Sequence, residues 1–225
     1  MDWKKIDAAV AEKDLLSHPF YQAWSAGELT AEDLKFYAKQ YYHLERNFPR
    51  LLSRVHSNCE LPETRLALLE NLIDEERSDE NHRELWLRFT DGLGLSREEV
   101  TASEPTQTTR GTLNSLMAAC SGTPAEGLAA LYAYESQLPR VSESKIAGLT
   151  KFYGITDKKT VSFFETHKEV DAWHSDVERA EIERLGADVG TVEAGARTGA
   201  EALWNFLDGV DAETRGKRGA VCAAC

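Results

Sequence analysis

Long apolar stretches are missing from this chain. No run approaches the roughly 20 residues that cross a bilayer, so no transmembrane helix is expected. Excess base is missing too: 26 Lys and Arg stand against 38 Asp and Glu, a formal net charge of −12. Nucleic acid and anionic membrane surfaces both require basic patches, so neither is an expected partner. Strand-type alternation, internal repeats, low-complexity blocks and a domain linker are all absent. The opening residues, MDWKKIDAAVAEKDLL, lack a long apolar core and a small-residue cleavage site. No signal peptide is therefore expected, and the cytoplasm is the expected location. Cysteine is scarce, at four residues. Cys59 and Cys120 stand alone and read as reduced core thiols. Cys222 and Cys225 form a CxxC, two ligands short of a full zinc site.

What is present is helix-forming sequence. Apolar residues make up 42% of 225 residues, enough for a sizeable core. Asp14 to Ser25 reads as a short helix interrupted near Pro19. Thr30, with Asp33 three residues on, reads as an N-cap opening a long amphipathic stretch that Pro49 kinks. Pro62 opens a helix expected to run to about Thr90. Further helices are expected over TTRGTLNSLMAAC, from Pro124 with an interruption at Pro139, from Asp157 to about Leu185, and over TVEAGARTGAEALWNFLDGV. The sum is about seven helices, an all-α bundle over residues 1–210, followed by a flexible tail, 211–225, carrying the CxxC.

Six residues on these stretches form a metal-ligand inventory. Glu75 and His82 lie seven apart in DEERSDENH; His167, Asp171 and His174 span seven in HKEVDAWH; Glu135 sits in YAYESQLP. Positions seven apart on a helix differ by only about 20° in heading, so each set is predicted to line one helix face. The axial separation of about 10 Å is long for one ion and comfortable for two ions about 3.5–4 Å apart. Three imidazoles and three carboxylates without thiolate suit iron or manganese better than structural zinc. Taken singly, each residue also fits a packed or solvated helix face.

The stretches HPFYQAWSAGELT, YAKQYYHLERNFP, LLENLIDEER, ALYAYESQLPR, SKIAGLTKFYG and HKEVDAWH resemble the haem-oxygenase-like superfamily of TenA-type thiaminases and pyrroloquinoline quinone synthase-like (PqqC-like) proteins. Within it the resemblance is to the CADD-like group, named for the Chlamydia protein associating with death domains, and it extends to about Gly209. The resemblance implies a seven-helix fold with a buried dinuclear centre of two iron ions, or manganese plus iron. Its ligands would fall on Glu75, His82, Glu135, His167, Asp171 and His174. It further implies self-sacrificial synthesis of para-aminobenzoate, a folate precursor, using dioxygen and an external reductant. A tyrosine of the protein would supply the ring and a lysine the amine. The tyrosine in the group's HxFYxxW motif falls on Tyr21. The lysine of its EKIxGLT-like motif falls on Lys145, although this chain reads SKIAGLT and lacks the preceding acid. Tyr37 and Tyr134 match further pocket tyrosines. Members of the fold are often oligomeric, which makes a homodimer compatible with the resemblance. Two alternatives stand beside this reading: a metal-free TenA-like or PqqC-like enzyme acting on a small heterocycle, and an interaction protein.

Overall fold

The computed structural model describes residues 1–217, the side chain of Glu169 excepted. Twelve α-helices occur among them: α1 (Trp3–Ala11), α2 (Pro19–Ala26), α3 (Ala31–Glu45), α4 (Phe48–Asn58), α5 (Pro62–Glu76), α6 (His82–Gly92), α7 (Arg97–Thr101), α8 (Gln107–Cys120), α9 (Pro124–Glu135), α10 (Leu138–Tyr153), α11 (Lys158–Leu185) and α12 (Val189–Asp211). The described residues contain no strand, so the all-α expectation stands. None of the helices is long and apolar enough to cross a membrane.

The count differs from seven because three predicted rods are each divided in two. α3 stops at Glu45, ahead of Pro49 in the first turn of α4, and α9 stops at Glu135, ahead of Pro139 in the first turn of α10. Proline removes a helical N–H and clashes one turn back, which sets both breaks. The third break, between Glu76 and His82, has no proline. Ser78 takes a left-handed φ of 78°, and the Asn81 side chain caps α6 by accepting from Glu84 N. Two short helices lie outside the seven: α7, capped by Ser96, and α1, upstream of the first predicted helix. Its amphipathic pattern is short, and the Asp2 carboxylate caps it by accepting from Lys5 N.

α9 is the axle of the fold. Its sequence, PAEGLAALYAYE, is apolar on every side, and a helix of that kind belongs in the interior. It packs against α12, α11 and α8, with α4 and α10 completing its surroundings. The contact with α12 depends on two glycines. A β-carbon at Gly195 or Gly199 would run into the carbonyl oxygens of Glu126 and Ala130 on α9. Gly199→Ala is expected to cost about 1–3 kcal/mol through overpacking, at about 2–4 °C in Tm per kcal/mol for a chain of this size. Thermal denaturation checks this; an unchanged Tm would mean the helices separate freely.

Cys59 and Cys120 are buried and free, and burial pushes the Cys120 thiol up to about 12, so it stays protonated and inert. The expected tail starts as a π-helical turn, Ala212–Gly216, tied back where Arg215 Nη1 donates to the Pro19 carbonyl at 2.7 Å. Cys222 and Cys225 lie outside the described residues.

Candidate metal centre

α11 carries the longest continuous part of the site. Asp157 caps it, accepting from Thr160 N at 2.9 Å, and Gly186 closes it in the left-handed region. His167, Asp171 and His174 share one face, all buried to 4% exposure or less. α9 delivers Glu135 as its last residue.

Glu75 and His82 arrive differently from the single helix face predicted for them. Glu75 lies in the last turn of α5 and His82 is the first residue of α6. The turn at Ser78 folds the chain back, and His82 Nδ1 comes within 2.8 Å of Glu75 Oε1. A continuous helix would have set these residues about 10 Å apart along its axis. The break converts two distant positions into neighbours.

The buried groups gather in two sets. Glu75, Glu135 and His174 offer ligand atoms within 4.8 Å of one another, and so do Glu45, His82 and His167. Asp171 stands between them on α11, with Oδ1 4.0 Å from His174 Nδ1. The ring orientations follow from fixed partners. The Phe163 carbonyl accepts from His167 Nδ1 at 2.7 Å, which leaves Nε2 bare. Asp74 holds His174 Nε2 at 3.2 Å, which turns Nδ1 inward to within 3.4 Å of Glu135 Oε1. A carboxylate or carbonyl behind the imidazole is the usual way a metal-binding histidine is oriented.

These residues fit a metal. His82 Nδ1, His174 Nδ1, Glu135 Oε2 and Asp171 Oδ2 are buried and make no hydrogen bond. Buried polar atoms are almost always paired; here the close neighbours of the two imidazole nitrogens are the carboxylates of Glu75 and Glu135. Cations held at the two sets would satisfy these atoms. The electrostatics agree. Burial lowers the His82 pKa, but the charges of Glu75, Glu45 and Glu135 outweigh it and raise it to about 9. Burial and the Glu75 charge push Glu45 up to about 8, and burial with Glu135 and Glu75 holds Asp171 well above the carboxylate range. Burial, with His82 nearby, keeps His167 neutral. The metal-free core holds protons where a cation would otherwise sit.

A second cluster adjoins the first. Pro19 and the His18 side chain, which accepts from Phe20 N at 3.1 Å, start α2 and place Tyr21 on its inner face. α10 supplies Lys145, 3% exposed, and Trp24 Nε1 donates to the Lys145 carbonyl at 3.3 Å, which ties α2 to α10. Lys145 Nζ donates to Tyr37 OH at 2.5 Å, and Tyr37 OH meets Tyr21 OH at 3.1 Å. The same Nζ lies 4.9 Å from the Tyr21 ring centre and 4.8 Å from that of Tyr37. Burial drives the Lys145 pKa well down, against the pull of Glu45, and drives Tyr21 and Tyr37 up. Burial thus favours an uncharged amine beside protonated phenols. Tyr134 is not in this group; its hydroxyl bonds Tyr41 OH at 2.7 Å. Ring contacts run from Tyr21 to Tyr37 (6.3 Å), Tyr41 (5.5 Å), Phe163 (6.3 Å) and His167 (3.9 Å), joining the two clusters.

Three residues escaped the sequence reading. Tyr41 and Glu45 continue the buried stripe of Tyr37 at four-residue steps on α3. Glu178 continues the His167, Asp171 and His174 face by one more turn and is buried with neither oxygen hydrogen-bonded. The helical period places all three on those faces, but only the structure shows the two acids to be buried. A cavity of about 190 Å³ between Arg46, Glu76, Asn81 and Arg83 reaches Glu45 and Glu75 from outside. It is smaller than the usual 300–1,000 Å³ of a small-molecule site.

The model of a family described as "Iron-containing redox enzyme" matches residues 35–207. The chain belongs to this family. It is an oxidoreductase by that membership, which accords with the inventory of imidazoles and carboxylates in its core. Among its relatives is a protein of Chlamydia muridarum called 4-aminobenzoate synthase, 42% identical over 206 residues, 91% of this chain and 87% of the relative. A 4-aminobenzoate synthase of Nitrosomonas europaea is 38% identical over 221 residues, 92% of this chain and 89% of that one. Solved structures share the fold: a domain with a heme oxygenase-like fold from Shewanella denitrificans (TM-score 0.82, 21% identity, 95% of this chain and 93% of that one) and a CADD-like protein from Nostoc punctiforme (TM-score 0.70, 15% identity, 94% and 99%).

Proposed function

We propose that this family member makes 4-aminobenzoate from its own tyrosine, with Tyr21 as the ring source, Lys145 as the amine donor and a dinuclear metal centre on Glu75, His82, Glu135, His167, Asp171 and His174. The observation that carries the reading is the Lys145 amine packed against the Tyr21 and Tyr37 rings, in a dry pocket joined by aromatic contacts to the ligand set. The relatives' name supplies the product. Converting a tyrosine side chain to 4-aminobenzoate exchanges the phenol C–O bond for a C–N bond. It also cuts Cβ from Cα and oxidises Cβ to a carboxylate. The nitrogen comes with cleavage of the Lys145 Cε–Nζ bond, and the phenol oxygen leaves as water. Dioxygen is the oxidant that takes up the electrons from Cβ, and an external reductant supplies the remaining electrons that carry it to water.

Iron, or manganese plus iron, held by those ligands would supply the activation of dioxygen. The chain's own residues do the rest. Tyr37 accepts the Lys145 hydrogen bond, which fixes the amine against Tyr21. Burial keeps the lone pair of that amine free. The edge-to-face and tilted rings around Tyr21 leave it 4% exposed and shield the oxidisable phenol from water. The metal-free heterocycle reading leaves the four orphaned ligand atoms without purpose.

Intact-protein mass spectrometry before and after aerobic reaction with ferrous iron and reductant tests the reading, with metal counted on the same sample. About two ions per chain, 4-aminobenzoate and a matching loss of mass at Tyr21 are expected. Tyr21→Phe should keep the metal and yield no product. Product from a chain of unchanged mass would point to an external substrate; product from Tyr21→Phe would move the source to another tyrosine.

A further inference from the structure

We propose that Glu45 is a seventh protein ligand of the centre, binding the ion held by His82 and His167; this rests on the dinuclear reading above. α3 ends on the buried stripe Tyr37, Tyr41 and Glu45, which are 0%, 3% and 4% exposed. Taking a carboxylate out of water is costly without a partner. The Glu45 side chain is 4% exposed, and its charged neighbours are Glu75, His82 and Lys145. It places an oxygen within 4.8 Å of a nitrogen of His82 and of His167, on α6 and α11. Three helices thereby present two imidazoles and a carboxylate to one point.

The division of ligands favours the same role. Glu75, Glu135 and His174 form a set of two carboxylates and one imidazole around the neighbouring point. Without Glu45, the His82 and His167 set has only neutral ligands of its own and must share Glu75 or Asp171. With it, each ion has an imidazole and a carboxylate that belong to it, and Asp171 stands between. The charge closes as well. Glu75, Glu135 and Asp171 bring three negative charges to two divalent ions; Glu45 brings the fourth. A neutral assembly is the one a water-poor interior tolerates. Glu45 and Glu75, one from each set, both line the cavity of about 190 Å³.

The test titrates the metal-stripped full-length chain with Mn²⁺ under anaerobic conditions. The wild type is expected to take up two equivalents. Glu45→Gln, nearly isosteric, should keep one ion at wild-type affinity and weaken the other by at least the 10–100-fold that outer-shell changes cost. His82→Ala should weaken the same ion, and Glu45→Asp should fall between. If Glu45→Gln does not fold, Glu45→Asp carries the comparison, with a selective loss at one ion expected. Wild-type affinity at both ions in either variant overturns the assignment. So does equal loss of both ions in a folded variant, which would make Glu45 a support of the core. A wild type that binds fewer than two ions refutes the dinuclear reading itself, a result distinct from either.

Discussion

Lys145→Met should give a folded, metal-binding protein that forms no 4-aminobenzoate. The lysine amine is buried, 2.5 Å from Tyr37 OH and stacked over the Tyr21 ring. Burial lowers its pKa well below the ordinary value, with Glu45 opposing, which favours the uncharged amine. Between that lowered value and about 10.4 the unfolded chain binds one proton that the folded chain does not. Stability from this group therefore rises with pH across that window, by about 1.4 kcal/mol per unit. At neutral pH the wild type forgoes that stability. Methionine fills the space without an ionisable group, so Lys145→Met should melt at or above the wild-type Tm and lose the alkaline rise. Arginine stays charged and should be destabilising as well as inactive. Product assays with calorimetry check both halves, and protein grown on ¹⁵N-lysine should release labelled product. Wild-type product from Lys145→Met would end the donor role.

How much of this was legible in the sequence depended on backbone continuity. His167, Asp171 and His174 sit on one uninterrupted helix, so spacing translated directly into a shared face. Glu75 and His82 have the same spacing and the opposite geometry, because a left-handed serine, with no proline or glycine to announce it, breaks the chain between them. Thr30 and Asp33 were legible because a capping box is local, and the structure shows both of its hydrogen bonds. Glu45 and Glu178 were not, since an acid in a chain with 38 of them reads as solvated surface until its helix face is known to be buried. Tyr21 and Lys145 came from the family resemblance alone. Their meeting joins α2 to α10 across more than a hundred residues, and no local pattern encodes that contact.

Metal removal should destabilise the protein more as pH rises. In the stripped chain burial and neighbouring charge raise Glu45 to about 8, Asp171 and Glu178 well above the carboxylate range, and His82 to about 9. His174 is raised as well, Glu135 and Asp74 outweighing burial. Above about pH 7 the unfolded chain has released these protons, since its carboxylates titrate near 4 and its histidines near 6.5. The folded stripped chain still binds them, so unfolding releases protons and stability falls as pH rises through about 8 and about 9. Lys145 contributes with the opposite sign in the same window and offsets one proton. Even one proton net amounts to about 1.4 kcal/mol per pH unit, or about 3–6 °C of Tm. A bound cation replaces those protons, so its affinity should climb at least about tenfold per unit, with proton release on binding. Saturating Mn²⁺ at about 1,000 times Kd adds about 4 kcal/mol. Scanning calorimetry of stripped and Mn²⁺-loaded protein between pH 6.5 and about 9 should show the two Tm values drawing apart. A constant gap would mean that the buried carboxylates and His82 are not the groups a metal displaces.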